Sequence, residues 1–446
     1  MSKLVIVSYR GPNQGGGVSA AIGRLLDTLE IGVPSWLYSV GEYIKLRQEH
    51  DECTPGLTQV NKQVVQGHYQ FCNEYLWPIF HDQPHLARFR QSDLESYTLF
   101  NVSMSNVAVS AQSDQYFVHD YQLMLLPNYI NLSGQLNSNF FWHIPWPRHI
   151  ALEHAFVIKE LVLNMLHATT IGFHTRSYVD NFLNFVEQYL PQASVHGDTV
   201  TLEGADQPTK LLVAPLGVDN GYWQSPETLA VGLPANNYII SVDRCDYSKG
   251  IINRLLGIEW FFENFSDRRE TVSFVQVCTR SREGLEDFDD YWDTCHALAQ
   301  RINTRFAKNN WAPIIWLENA LDSDTLKALY RGSSAILITS LADGLNLTAK
   351  EYALSQTGMQ SPGIVILSSR AGAFAELSDG CIPLRTMTPE EIGLSVERSL
   401  NYGIAERKVL SRKLQMRLEY MSIRKWWQVN CGVKPVSIVQ NEARTL

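Results

Sequence analysis

Long hydrophobic runs are missing from this chain of 446 residues. No stretch approaches the roughly 18 consecutive apolar residues of a membrane-spanning helix, so no membrane association is expected. Cysteine is sparse. Cys53, Cys72, Cys245, Cys278, Cys295, Cys381 and Cys431 make an odd total with no C-x-x-C pair, which argues against a disulfide framework and a zinc ribbon. A surplus of positive charge is missing too. Lys and Arg number 37 against 46 Asp and Glu, for a formal charge of −9. Such a chain lacks the broad positive field of non-specific nucleic-acid binding, and leaves room for local basic pockets around a phosphorylated small molecule. Several catalytic signatures are absent: the H-E-x-x-H of zinc hydrolases, the G-x-S-x-G elbow, the Walker A loop and the dinucleotide G-x-G-x-x-G. His143, His149 and His154 match no zinc-ligand spacing. The opening MSKLVIVSYR has only four apolar residues before Ser8. That is too short for a signal peptide and reads as a buried strand, so a reducing cytoplasm is the expected location.

What is present is ordinary globular protein: 45% hydrophobic and 19% charged residues, too apolar and too weakly charged for disorder. At about 150 residues per domain the length allows two to three domains. Short apolar runs recur at Leu4–Val7, 116–118, 140–142, 169–173 and 211–214, then at 238–242, 272–277, Ile314–Leu317, 335–339 and 363–367. Each is followed by turn residues and a helical pattern. Continuous Val- and Ile-rich runs suit a parallel sheet covered on both faces, and the repeated βα unit predicts an α/β architecture. The stretch 223–237 has little periodicity, which places a boundary near residue 226 and divides the chain into 1–226 and 227–446. A last helix is expected over 417–429, with a poorly ordered tail after Gly432.

Four segments can carry chemistry. Arg10 precedes Gly15-Gly16-Gly17 and a helix over 18–29; a strand, a glycine loop and a helix N-terminus form an anion site, or a plain surface turn. Ser241 to Gly250 follows the strand at 238–242. Ligands of open α/β sheets lie beyond the carboxyl ends of strands, so Arg244 and Lys249 are placed to bracket a diphosphate; the plainer reading is a solvated loop. Ala342 to Glu351 follows the strand at 335–339 and opens a helix. Gly344 permits close backbone approach, Asp343 suits hydroxyl groups, and Glu351, about two turns into the helix, suits a diol. An N-cap and a solvated Glu would explain the same residues. Finally, His119 and His143 each end a strand; a lone His is more often a core residue. Asp287-Phe288-Asp289 forms a D-x-D, but it lies in the acidic run 283–293 and reads as a solvated face rather than a metal–nucleotide site.

In this order the segments resemble the trehalose-6-phosphate synthase family of retaining glycosyltransferases, from Leu4 to about Trp427. Its most specific parts are Arg244 to Gly250, departing only at Cys245 where the family has Leu, and Asp343 to Tyr352. Leu76-Trp77-Pro78, His119-Asp120-Tyr121, His143-Ile144-Pro145, Arg301-Ile302-Asn303 and Trp311-Ala312-Pro313 also match. The resemblance implies a GT-B fold: two Rossmann-like, doubly wound parallel-sheet domains facing across a cleft. The acceptor would bind the first half and a nucleotide sugar the second, with the last helix crossing back and no metal or other cofactor needed. It also implies site roles. Arg244 and Lys249 correspond to ligands of the donor diphosphate. Asp343 and the amides of Gly344, Leu345, Asn346 and Leu347 would hold the donor sugar, and Glu351 the ribose. His143 stands at the reacting centre. Arg10 and Arg282 would take the acceptor phosphate, and Asp120 and Trp77 the acceptor sugar.

The expected reaction moves glucose from UDP- or GDP-glucose to a phosphorylated acceptor with retention. The family is thought to use front-face attack, in which the leaving phosphate helps take the acceptor proton. Glucose 6-phosphate is the leading acceptor, giving trehalose 6-phosphate. Glycerol 3-phosphate and a phosphorylated aminocyclitol remain alternatives, as does a catalytically silent sugar-phosphate sensor. Homo-oligomerisation stays open. Departures fall on the acceptor side: the family Trp-Ser-Gly-Glu is Ser39-Val40-Gly41-Glu42, and a family Tyr is His68. The loop 11–17 is short, and the Arg before Asp-Gly is Ala342. Arg10 and Arg282 are expected to converge on one phosphate by bidentate contacts. His68 is expected to add an imidazole donor that titrates near neutral pH.

Overall fold

The computed structural model describes residues 3–432, apart from 13, 15, 16, 28–32, 48–55, 135, 136, 206, 227–231, 233, 235 and 236. Gly15, Gly16, Cys53 and the tail after Gly432 therefore lie outside the described residues, as does the stretch just past residue 226. The first sheet contains Leu4–Val7 (β1), Ser35–Val40 (β2), Tyr43–Arg47 (β3), Gly56–Gln59 (β4), Gln115–His119 (β5), Ser138–Phe141 (β6), Thr170–Phe173 (β7), Ala193–His196 (β8), Thr199–Leu202 (β9) and Thr209–Val213 (β10). Its order is β4-β3-β2-β1-β5-β6-β7-β10-β9-β8. The second sheet contains Asn237–Arg244 (β11), Val272–Thr279 (β12), Ile314–Leu317 (β13), Ala335–Ile338 (β14), Ile364–Ser368 (β15) and Ile382–Leu384 (β16), in the order β13-β12-β11-β14-β15-β16. All pairings in the second sheet are parallel, the doubly wound arrangement of a Rossmann-like domain.

The apolar runs became the central strands because they are buried on both faces; β1, β6, β14 and β15 are buried throughout. The strands that the run pattern does not announce lie toward the edges. β2, β3 and β4 pair antiparallel, and β8 and β9 form a hairpin that joins the announced β10, also antiparallel. β3 is mostly half-buried or exposed, and β8 alternates half-buried with exposed residues. A search for continuous apolar runs passes over such strands.

The end of the chain differs from the expected helix over 417–429. The helix Ile404–Glu419 stops first, and the last helix is Ile423–Cys431, capped by the Ser422 hydroxyl accepting from the Lys425 amide. This cap breaks the pattern because a serine oxygen satisfies an N–H that a continuous helix would have used internally. The last helix packs on the first sheet. Trp426 lies 5.1 Å from Phe141 and 5.5 Å from Phe117, and the Asn430 carbonyl accepts from Asn139 at 2.8 Å. One buried apolar cluster runs from Leu4, Ile6 and Phe117 through Trp426 to Tyr238, Val275 and Ile336, so the two sheets share a core.

Candidate active site in the cleft

Both sheets reverse direction of growth at a central strand pair: β1 and β5 in the first, β11 and β14 in the second. At such a switch point the connections leave toward opposite faces, and a crevice opens at the carboxyl ends. Ser8 to Gly11 follow β1 and Asp120 follows β5, whereas Cys245 to Gly250 follow β11 and Ser340 to Leu347 follow β14. The two crevices face each other. A Cβ on Gly344 would lie 1.9 Å from the His143 carbonyl oxygen, and one on Gly17 would lie 3.1 Å from Leu347. The Tyr178 hydroxyl donates to the Asp343 carbonyl at 2.9 Å.

On the second domain's wall, Lys249 pairs with Asp343 at 2.6 Å. The same carboxylate accepts from Ser340 at 3.2 Å and Asn346 at 3.1 Å. Burial pushes the Asp343 carboxyl up, but Lys249 and the hydrogen bonds outweigh it and hold the group below its ordinary range. Asn346 takes the left-handed conformation, φ 79°, and its side chain caps Leu347–Ser355 through the Ala349 amide. Thus Leu345 to Leu347 form a turn whose following helix points its N-terminus into the cleft. Glu351 sits one turn into that helix, not two, because the turn at Asn346 delays the helix start to Leu347. Burial raises its carboxyl to about 7, with Arg24 opposing.

Arg244 ends β11. It keeps some surface yet is enclosed by protein, and burial together with Arg282 lowers it to about 10. Among the described residues its guanidinium has no hydrogen-bond or ion-pair partner; its nearest aromatic contact is Trp77, 5.8 Å away. The Arg10 guanidinium likewise has none. Enclosed, unpaired cations of this kind suit an anionic ligand.

The first domain supplies His143 and Asp120. The Asp120 backbone is in the left-handed region, φ 74°, and its carboxylate accepts the His143 amide at 3.1 Å. Burial raises the Asp120 carboxyl to about 7, with the His143 and Tyr121 amides opposing. The His143 ring shares a hydrogen bond with His119 at 2.9 Å. Burial, then His119 and His174, hold His143 well below its ordinary value, so this imidazole is neutral at physiological pH. Its Nδ1 is buried and has no hydrogen-bond partner among the described residues.

Three expectations need correction. His68 is fully buried, stacked 4.0 Å from Phe100, with Nε2 on the Gln122 carbonyl at 3.0 Å. Burial lowers it to about 4, so it does not titrate near neutral pH and offers no exposed donor to a phosphate. Arg282 is not a free fork. Its Nε donates to Asn73 at 2.6 Å and one terminal nitrogen to Asp246 at 2.6 Å, while the guanidinium lies 3.9 Å over Trp77. A bidentate grip on phosphate is therefore already half occupied. Asp287 and Asp289 are not a solvated face: Asp287 pairs with Arg88 across the cleft at 2.9 Å, and Asp289 pairs with Arg280 at 2.9 Å. Among the described residues no group of three or more His, Cys, Asp or Glu could hold a metal ion.

The structure also shows what sequence reasoning passed over. Asp246 is fully buried and takes Arg282, the Trp77 indole at 3.4 Å and the Ser248 amide at 3.0 Å. Burial opposes its ionisation, but Arg282, Arg244, His81 and Lys249 hold it far below the ordinary range. It is the hub joining both walls. Its only signal in the sequence was its place between Arg244 and Lys249. The positive φ of Arg282, 53°, is another mark no sequence pattern announces; strained residues of this kind gather at functional sites.

Two Rossmann-like domains meeting at their carboxyl edges across a cleft define the GT-B class of glycosyltransferase folds. Residues 44–431 match the model of glycosyltransferase family 20, and the chain belongs to that family. The chain is 29% identical over 437 residues to the trehalose-6-phosphate synthase of Salmonella arizonae, covering 93% of this chain and 91% of that one. It is 31% identical over 377 residues to the UDP-forming alpha,alpha-trehalose-phosphate synthase A of Dictyostelium discoideum, covering 81% of this chain and 50% of the relative. It thus spans about half the length of that relative. A Burkholderia xenovorans UDP-forming synthase, solved in complex with glucose-6-phosphate, superposes with a TM-score of 0.85 at 26% identity, covering 96% of this chain and 98% of that one. Among the described residues no helix is long and apolar enough to cross a membrane.

Proposed function

We propose that this protein is a retaining glucosyltransferase that moves glucose from UDP- or GDP-glucose to a phosphorylated acceptor, with glucose 6-phosphate giving trehalose 6-phosphate as the leading case. The observation that carries the reading is Arg244: an enclosed guanidinium at the carboxyl end of β11, beside the switch point, and without a hydrogen-bond or ion-pair partner among the described residues. In this reading residues 1–226 bind the acceptor and 227–446 the donor. The anomeric carbon–oxygen bond to the diphosphate breaks, and the acceptor hydroxyl attacks from the same face. Its proton passes to the departing phosphate oxygen. Arg244 and Lys249 meet the charge that develops on the leaving group. Asp343 and the amides from Gly344 to Leu347 hold the sugar, Glu351 takes the ribose diol, and His143 lines the reacting centre. Arg10, Trp77, Asp120 and Arg282 form the acceptor wall, and no step calls for a metal. The relatives named above, with their UDP-forming reaction and a glucose-6-phosphate complex, support the donor and acceptor classes.

The test is incubation with UDP- or GDP-glucose and glucose 6-phosphate, glycerol 3-phosphate or glucose, with products identified by mass and anomeric configuration by NMR. An α,α-linked disaccharide phosphate is expected. Hydrolysis alone, or binding of UDP without turnover on any acceptor, would overturn the reading.

A further inference from the structure

We infer that Arg88 and Asp287 form an interdomain clasp that positions Arg282 and so tunes how the acceptor is bound. The inference rests on the acceptor reading above and adds two positioning residues to it. Arg88 follows the short helix Pro84–Leu86, and its amide donates to the Glu74 carbonyl at 2.7 Å. Its guanidinium reaches Asp287 at 2.9 Å and Glu286 at 3.3 Å, both at the start of the second domain's helix Glu286–Phe306. On its own domain it reaches Glu74 at 3.5 Å. Glu74 is buried and is held by Arg90 at 2.7 Å, which also pairs with Asp93 at 3.1 Å.

This contact sits directly behind Arg282. Glu74 follows Asn73, which accepts the Arg282 Nε, so two ties cross between the domains from consecutive residues of the π-helix Phe71–Leu76. On the opposite side, Asp287-Phe288-Asp289 brackets the same arginine, whose guanidinium lies 4.7 Å over the Phe288 ring. Asp289 pairs with Arg280 at 2.9 Å and accepts the Gly284 amide at 2.9 Å, which fastens the loop carrying Arg282 to its own helix. Asp287 then fastens that helix to the first domain. An isolated exposed ion pair contributes little, whereas a network of charges holds its geometry better, and this network has Glu74 buried at its centre. Arg282 itself has a φ of 53°. A residue in that conformation persists only where its surroundings over-determine it, and the two aspartates supply that constraint from either side.

The test compares Arg88→Gln, Arg88→Lys, Asp287→Asn and the double variant of Arg88→Gln with Asp287→Asn, in transfer from UDP-glucose to glucose 6-phosphate. Arg88→Gln and Asp287→Asn are each expected to raise the glucose 6-phosphate KM about three- to fivefold, the scale of a networked surface ion pair. The kcat and the UDP-glucose KM should stay as in wild type. The double variant should match Arg88→Gln alone, because loss of the arginine has already broken the contact, and Arg88→Lys should lie near wild type. An unchanged acceptor KM in both single variants overturns the inference. So does a loss confined to kcat, or single effects that multiply in the double variant. If wild type shows no transfer to glucose 6-phosphate, the acceptor reading fails by itself. Amide hydrogen exchange of the empty proteins then decides the clasp. Faster exchange in Asp287→Asn confined to 71–77 and 281–288 supports it; exchange unchanged there, or raised equally across β14 and β15, overturns it.

Discussion

Gly344 and His143 touch across the cleft: a Cβ on the glycine would overlap the histidine's carbonyl oxygen at 1.9 Å and its carbonyl carbon at 2.8 Å. Both atoms are backbone, so no side-chain rotation relieves the overlap. The glycine is required here by the approach of two domains rather than by its own torsion angles. Gly344→Ala is expected to part the walls by about an ångström and lower turnover on the order of a hundredfold, the usual consequence of misplacing reacting groups. Thermal stability should fall as well, because the overlap is with backbone and the two sheets share a core. Normal turnover in this variant would mean that the cleft does not work in the closed form described.

Arg244→Ala and Lys249→Ala are each expected to lower kcat by roughly 10²–10³. The two should differ in the empty protein. Lys249 neutralises Asp343, so its loss leaves a buried carboxylate uncompensated, whereas Arg244 has no such partner. Denaturant unfolding should therefore show Lys249→Ala destabilised and Arg244→Ala near wild type or above it. The reverse order would remove Asp343 as the resting partner of Lys249.

Arg282→Ala strands the fully buried Asp246. Breaking a buried pair from one side costs about 3–5 kcal/mol. Adding Asp246→Asn removes the stranded charge, and the double variant is expected to recover part of the lost stability while staying inactive. A double variant no more stable than Arg282→Ala would show that the pair contributes little.

Glu351 gives a pH signature. Its folded carboxyl is raised from 4.5 to about 7, so the folded state binds more protons than the unfolded between those values. Stability then falls as pH rises from about 4.5 to about 7. Glu351→Gln is expected to exceed wild type by about 2–3 kcal/mol at pH 7.5, with the gap closing toward pH 4. Chemical unfolding of the empty proteins at both pH values checks this; a gap independent of pH counts against it. UDP should bind the variant more weakly if this carboxylate takes the ribose.

Activity is expected to survive chelation. Asp287 and Asp289, the D-x-D of the sequence, are committed to Arg88 and Arg280. Loss of turnover in EDTA with recovery in Mg²⁺ would reopen them as ligands.

The doubly wound fold was legible in ten apolar runs, because strands buried on both faces must be apolar at every position. The second domain's side of the cleft draws on the chain more simply. Arg244, Lys249, Asp343 and Glu351 sit on two continuous stretches, each bound to a single strand end, so local order in the chain is nearly order in space. The cluster of Asn73, Trp77, Asp246 and Arg282 draws on both domains, and no spacing along the chain encodes their meeting. That is why His68 looked like a phosphate donor and proved to be core. The edge strands and the break before Ile423 were likewise decided late, by pairing partners and by a serine cap. By itself the sequence determined which strand ends carry cations and which runs must be buried. Only the tertiary structure decided which of those cations stay unpaired. That depends on what the opposite domain brings within hydrogen-bonding reach, a few ångströms that contacts local in sequence do not set.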